Sequence, residues 1–132
     1  MPALTSLQPA APSASSCALV VGSTPLGEHL RNLLLSSHWN FEQTSDIEHA
    51  ADRLSDGNIS VVLCGAKGWR DVVAGASRAS HPPQVLVFDE KPDDREWREA
   101  LASGACYVDA RHLDAPRLFS LLNHAWRVWN RI

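Results

Sequence analysis

Residues 18–30 read ALVVGSTPLGEHL. The apolar run Ala18 to Val21 suits a strand buried on both faces. Gly22 follows as a turn. Pro25 fits a first helical turn, where its missing N–H costs nothing. Leu26, Leu30, Leu33 and Leu34 then recur at helical spacing. The stretch is a strand, a glycine turn and a helix in that order. The fold depends on whether the unit repeats.

It repeats to the end of the chain. Trp39 to Gln43 reads as a second strand. Ser45-Asp-Ile-Glu48 has the form of a capping box. Ile47, Ala50, Ala51 and Leu54 follow on one helical face, with Gly57 placed to end the helix in a left-handed turn. Ile59 to Cys64, ISVVLC, is the clearest strand. A short helix carries Trp69, Val72, Val73 and Ala76, and His81-Pro-Pro breaks it. Gln84 to Phe88 is the fourth strand. Pro92 opens a helix through Trp97, Ala100 and Leu101 that Gly104 ends. Cys106 to Ala110 is the fifth strand, and Asp114 caps a last helix. Five strands alternating with five helices over short links predict an α/β domain, doubly wound around a parallel sheet. The expected form is flavodoxin-like, with strand order 2-1-3-4-5.

Size and composition agree with one such domain. The chain has 132 residues, 45% hydrophobic and 20% charged, enough to bury a core without disulfides or metal. Residues 1–16, MPALTSLQPAAPSASS, are rich in Ala, Ser and Pro. They lack the basic start and continuous apolar stretch of a secretory signal and read as a flexible lead, leaving 17–132 as the domain. A net charge of −3 gives no case for a nucleic-acid surface. No apolar run reaches membrane-spanning length. Cys17, Cys64 and Cys106 are odd in number and form no Cys-x-x-Cys, which fits a reducing cytoplasm. The six histidines are scattered without metal spacing.

Gly22 and Gly27 have the spacing of a phosphate-binding loop, but Glu28 and His29 stand where that loop needs a lysine and a hydroxyl. A dinucleotide fingerprint needs a glycine two residues after Gly22, where Thr24 stands. A small-ligand or nucleotide-binding module using the Gly22–Gly27 turn and the helix N-terminus at Pro25 is kept as the alternative function.

Three stretches carry a resemblance. Ala100-Leu-Ala-Ser-Gly-Ala105, a short strand and Asp114-Ala-Pro-Arg-Leu118 form one. Ala18-Leu-Val-Val-Gly-Ser-Thr-Pro25 and Asn58-Ile-Ser-Val-Val-Leu-Cys64 are the others. Together they resemble the receiver domain of bacterial response regulators, over nearly all of residues 17–132. In that family an aspartate is phosphorylated with magnesium, and a hydroxyl and a lysine then hold the phosphoryl group. By the resemblance, the magnesium-holding acids fall on Gly22 and Ser23 and the phosphoacceptor on Cys64. The hydroxyl falls on Asp89, and the lysine-proline pair on Arg111 and His112.

Every one of these changes removes chemistry. Magnesium wants carboxylate and water oxygens, and Gly22 and Ser23 supply no charge. Asp89 repels a phosphoryl group, and Arg111 keeps charge but changes shape. The link from Gly65 to Trp69 is short for a receiver. The resemblance therefore implies the fold with its phosphorylation site lost. The expected function is a degenerate receiver in two-component-type signalling: a phosphorylation-independent interaction or scaffolding module, not an enzyme, without cofactor or metal. An Asp89–Arg111 ion pair is expected to fill the emptied site.

The last helix has Leu118, Leu121, Leu122, Ala125 and Trp129 in one stripe, with Phe119, Trp126 and Val128 widening the arc. One helix face does not turn all of these at a sheet. In receivers the fourth helix, fifth strand and fifth helix meet partners. Trp97, Val108, Phe119 and Trp126 are the expected interaction face, for a protein partner or a second copy. Val108 falls where receivers carry a switching aromatic.

Overall fold

The computed structural model describes residues 17–22, 25–37, 39–55 and 59–131. The lead 1–16, Ser23, Thr24, His38, Asp56, Gly57, Asn58 and Ile132 lie outside the described residues. In order the elements are β1 (Cys17–Val21), α1 (Pro25–Leu35), β2 (Asn40–Thr44), α2 (Ile47–Ser55), β3 (Ile59–Gly65), α3 (Trp69–Ala76), β4 (Gln84–Asp89), α4 (Asp94–Ala102), β5 (Cys106–Asp109) and α5 (Ala115–Arg131). The sheet is parallel throughout, with order β2-β1-β3-β4-β5. This is the doubly wound, flavodoxin-like architecture expected from the alternation.

Burial explains which strands are apolar. β1 is buried at all five positions and β3 at six of its seven. These are the central strands, covered on both faces. β2 forms an edge and is only half-buried, so its sequence NFEQT carries no apolar run. Trp39 lies just before β2 rather than in it, yet is buried.

Alternation along each strand divides the core into two layers. Leu19, Val62, Cys64, Val87 and Tyr107 face α2, α3 and α4, meeting Leu54, Trp69, Val72 and Ala100. Val20, Leu63, Phe88 and Val108 face α1 and α5, meeting Leu30, Leu34, Leu118 and Leu122.

Side-chain caps set several helix starts. Asp46, not Ser45, caps α2: its carboxylate accepts from the Glu48 N–H at 2.9 Å. Asp93, not Pro92, begins α4, accepting from the N–H groups of Arg95 at 2.8 Å and Glu96 at 3.4 Å. Asp114 caps α5 as expected, accepting from the Arg117 N–H at 3.0 Å. At its far end α5 is clamped. His81 and Trp129 stack at 4.0 Å, His81 Nε2 is 2.8 Å from the Trp129 carbonyl, and Trp129 Nε1 donates to the His81 carbonyl at 3.3 Å.

Candidate functional site at the carboxyl edge of the sheet

Val21, Cys64 and Val87 stand in register on β1, β3 and β4. Above their carboxyl ends opens a cleft of about 480 Å³, bounded by Gly22, Leu26, Gly65, Lys67, Asp89 and Lys91. Open α/β sheets bind ligands at this place, where the chain switches direction between neighbouring strands.

The glycine turn at the cleft is packed, not vacant. Gly22 has φ 127°, a left-handed value that glycine takes at least cost. Its N–H donates to the Thr44 carbonyl at 2.7 Å, and its carbonyl accepts from Gln43 Nε2 at 3.2 Å. A Cβ on Gly27 would stand 2.5 Å from the Gly22 carbonyl oxygen. The two glycines thus let α1 press against the end of β1. The Gly22 N–H that a phosphate would use is already bonded to β2.

The other receiver positions are as follows. Ser23 lies outside the described residues. Cys64 is 2% exposed, and burial pushes its thiol up to about 12. A neutral buried thiol is neither nucleophile nor hard-metal ligand. Asp89 ends β4 at the cleft wall. Its Oδ1 accepts from the Lys91 N–H at 2.8 Å, and its Oδ2 accepts from the Tyr107 hydroxyl.

Arg111 does not reach Asp89, which corrects the expected ion pair. Its guanidinium folds back on Asp109, with Nε 3.0 Å from Oδ1 and Nη2 2.6 Å from Oδ2. The reason is local. Asp109 is only two residues away, at the end of β5, so the fork closes without crossing the sheet. That fork holds the Asp109 carboxyl down at about 2. Asp89 is left to Tyr107. Val87 and Tyr107 are register partners, as are Asp89 and Asp109. Tyr107 and Asp89 are therefore offset by two residues, roughly 6.6 Å of strand, a gap a phenol spans.

Val108 is also corrected. It is 3% exposed and faces α1 and α5, so it offers no surface to a partner. The aromatic of β5 that faces α4 is its neighbour Tyr107. A count along the strand that slips by one residue turns a side chain to the opposite face. Tyr107 packs against Trp97 of α4, with ring centroids 5.3 Å apart and planes tilted by 32°. Trp97 is 36% exposed, and Leu101, one turn further on, is 54% exposed. Phe119 and Trp126 are partly exposed and pack on the α1/α5 side. Since α4 and α5 lie on opposite layers, a common surface must wrap the β5 edge.

Sequence reasoning missed Tyr107, and it placed Leu101 within α4 without marking it as exposed. Alternation along β5 carried the signal for the first, and the four-residue spacing from Trp97 for the second.

A polar web fixes α4 against α3. Trp69 Nε1 donates to Glu96 Oε2 at 3.1 Å, and the Arg70 guanidinium lies 4.6 Å above the Trp69 ring. Arg70 also pairs with Glu96 at 2.8 Å and with Glu99.

No family model matches the chain, and a search of curated proteins found no relative. Solved structures do match. The receiver domain of an HD-domain-containing protein from Pseudomonas fluorescens Pf-5 aligns with TM-score 0.77 at 16% identity, over 95% of this chain and 96% of that one. HP1043, an orphan response regulator of H. pylori, aligns with TM-score 0.73 at 19% identity, over 88% and 100%. The chemotaxis protein CheY4 of Vibrio cholerae aligns with TM-score 0.70 at 16% identity, over 83% and 98%. The architecture is that of a response-regulator receiver domain. At these identities the likeness is one of fold.

Proposed function

We propose that the chain is a degenerate receiver domain, working in two-component-type signal transduction as a phosphorylation-independent interaction or scaffolding module in the cytoplasm. The observation that carries this reading is Cys64. A buried neutral thiol stands at the end of β3, where a receiver needs an ionised carboxylate. Gly22, at the end of β1, adds no carboxylate. Among the described residues no cluster of three His, Cys, Asp or Glu is grouped to hold a metal ion. No helix among them is long and apolar enough to cross a membrane.

The working surface is the exposed side of α4, with Trp97 and Leu101, continued round the β5 edge toward Phe119 and Trp126. A large aromatic left in water beside an aliphatic neighbour is a typical interface anchor. The partner is a second copy or another signalling protein.

Two measurements test this. Beryllofluoride with magnesium should leave the amide spectrum of the chain unchanged, and a magnesium-dependent shift at residues 64–67 would overturn phosphorylation independence. Sedimentation should show concentration-dependent association that Trp97→Ala weakens at least about tenfold, the scale of an anchor residue. Unaltered association in Trp97→Ala would remove α4 from the interface.

A further inference from the structure

The amino edge of the sheet, opposite the cleft, carries a groove of about 230 Å³ between the ends of α3 and α4. Val73, Ala76, Pro82, Pro83 and Val85 make its apolar walls, and none of its described lining residues is charged. The cleft at the other edge, by contrast, carries Lys67, Asp89, Glu90 and Lys91. At the rim of the groove Ser77 and Ser103 donate their hydroxyls to the Ala74 and Glu99 carbonyls. Gln84 also lines the groove, and its side-chain amide has no hydrogen-bond partner among the described residues. Such an amide offers both a donor and an acceptor to a peptide backbone lying across it. The groove therefore suits an uncharged, extended segment with aliphatic side chains.

The chain carries such a segment within reach. Residues 1–16, MPALTSLQPAAPSASS, contain no Asp, Glu, Lys, Arg or His. They join the domain at Cys17, where β1 begins. Ala18 and Gln84 both pair with Val61, so one strand separates them, roughly 10 Å in all. Residues 8–16 lie between Leu7 and Cys17 and reach about 30 Å when extended. Pro2, Pro9 and Pro12 favour the polyproline II form, in which residues three apart share a face. Leu4 and Leu7 have that spacing. We propose that the amino-edge groove is the docking site of the chain's own residues 3–9, seated by Leu4 and Leu7. The tether supplies an effective concentration of millimolar order. A contact too weak to capture a free peptide therefore still holds this one. Docked, the segment covers an apolar surface that stands apart from the outer face of α4.

Amide spectra of the full chain and of the Leu4→Ser/Leu7→Ser variant test the docking. Both positions precede β1, so the change leaves the core of the domain intact. It should shift the amides of residues 73–77, 84–85 and 103–105 and leave those of residues 64–67 in place. The difference should persist unaltered on roughly tenfold dilution, because the contact is intramolecular. From the other side, Gln84→Ala should shift the amides of Thr5, Ser6 and Gln8. Groove amides indifferent to Leu4→Ser/Leu7→Ser, or changes spread evenly over the sheet, would overturn the proposal. So would Thr5, Ser6 and Gln8 amides unmoved by Gln84→Ala. Differences that fade on dilution would overturn it as well, since they assign the groove to a second copy's segment.

Discussion

Gly27 sits so close beneath Gly22 that a Cβ on it would stand 2.5 Å from the Gly22 carbonyl oxygen. The obstacle is backbone, held by its own bond to Gln43, so it has little room to give. Gly27→Ala sets a gain in helix propensity of about 1 kcal/mol against an overpacking cost of about 1–3 kcal/mol. The clash wins, and urea unfolding should show net destabilisation. Gly22→Ala should destabilise for a different reason. It meets no atom within 4 Å but must hold φ 127°, a strain of about 1–3 kcal/mol.

The three thiols should divide by accessibility. Cys106 is exposed, whereas Cys17 and Cys64 are buried. Burial raises Cys17 to about 11 and Cys64 to about 12. A thiol reagent at pH 8 should label one cysteine in the folded chain and three after denaturation. Rapid labelling of Cys64 in the native state would contradict its burial.

Alkaline pH should weaken the fold through the same groups. The folded-state values of Cys17 and Cys64 are raised, so between about pH 9 and their folded values the native chain holds protons that the unfolded chain has lost. Their contribution is therefore full below about pH 9 and is lost as pH rises toward 11 and 12. Cys64→Ala should flatten that decline in a urea titration between pH 8 and 10.5. An unchanged slope would show that Cys64 does not contribute to it.

Tryptophans on the two layers should differ in cost. Trp69 is 1% exposed and bonded to Glu96, so Trp69→Ala should cost about 3–5 kcal/mol. Trp126 is partly exposed, and Trp126→Ala should cost roughly half as much, with association reporting any surface role. Equal losses of melting temperature would mean that Trp126 serves the core as fully as Trp69 does.

The legible parts of the fold were those written in long apolar runs. β1, β3 and β4 lie where two layers of helices cover the sheet, so ALVV, ISVVLC and QVLVF need no alternation to be read. The site was legible only as a set of positions. Arg111 and Asp89 carried opposite charges at suitable places, but nothing in the spacing says that Asp109 captures the guanidinium first. Tyr107 and Val108 are neighbours on a four-residue strand, and which of them faces α4 depends on register. Asp46 displaced Ser45 as a cap because either side chain can accept an amide, and the choice follows where the helix starts.

The clamp between His81 and Trp129 sets the end of α5 beside the segment leading into β4, the edge of the sheet opposite the cleft. β1 also begins at that edge. A domain held to a surface at the end of α5 would therefore stand with the cleft turned away from the support.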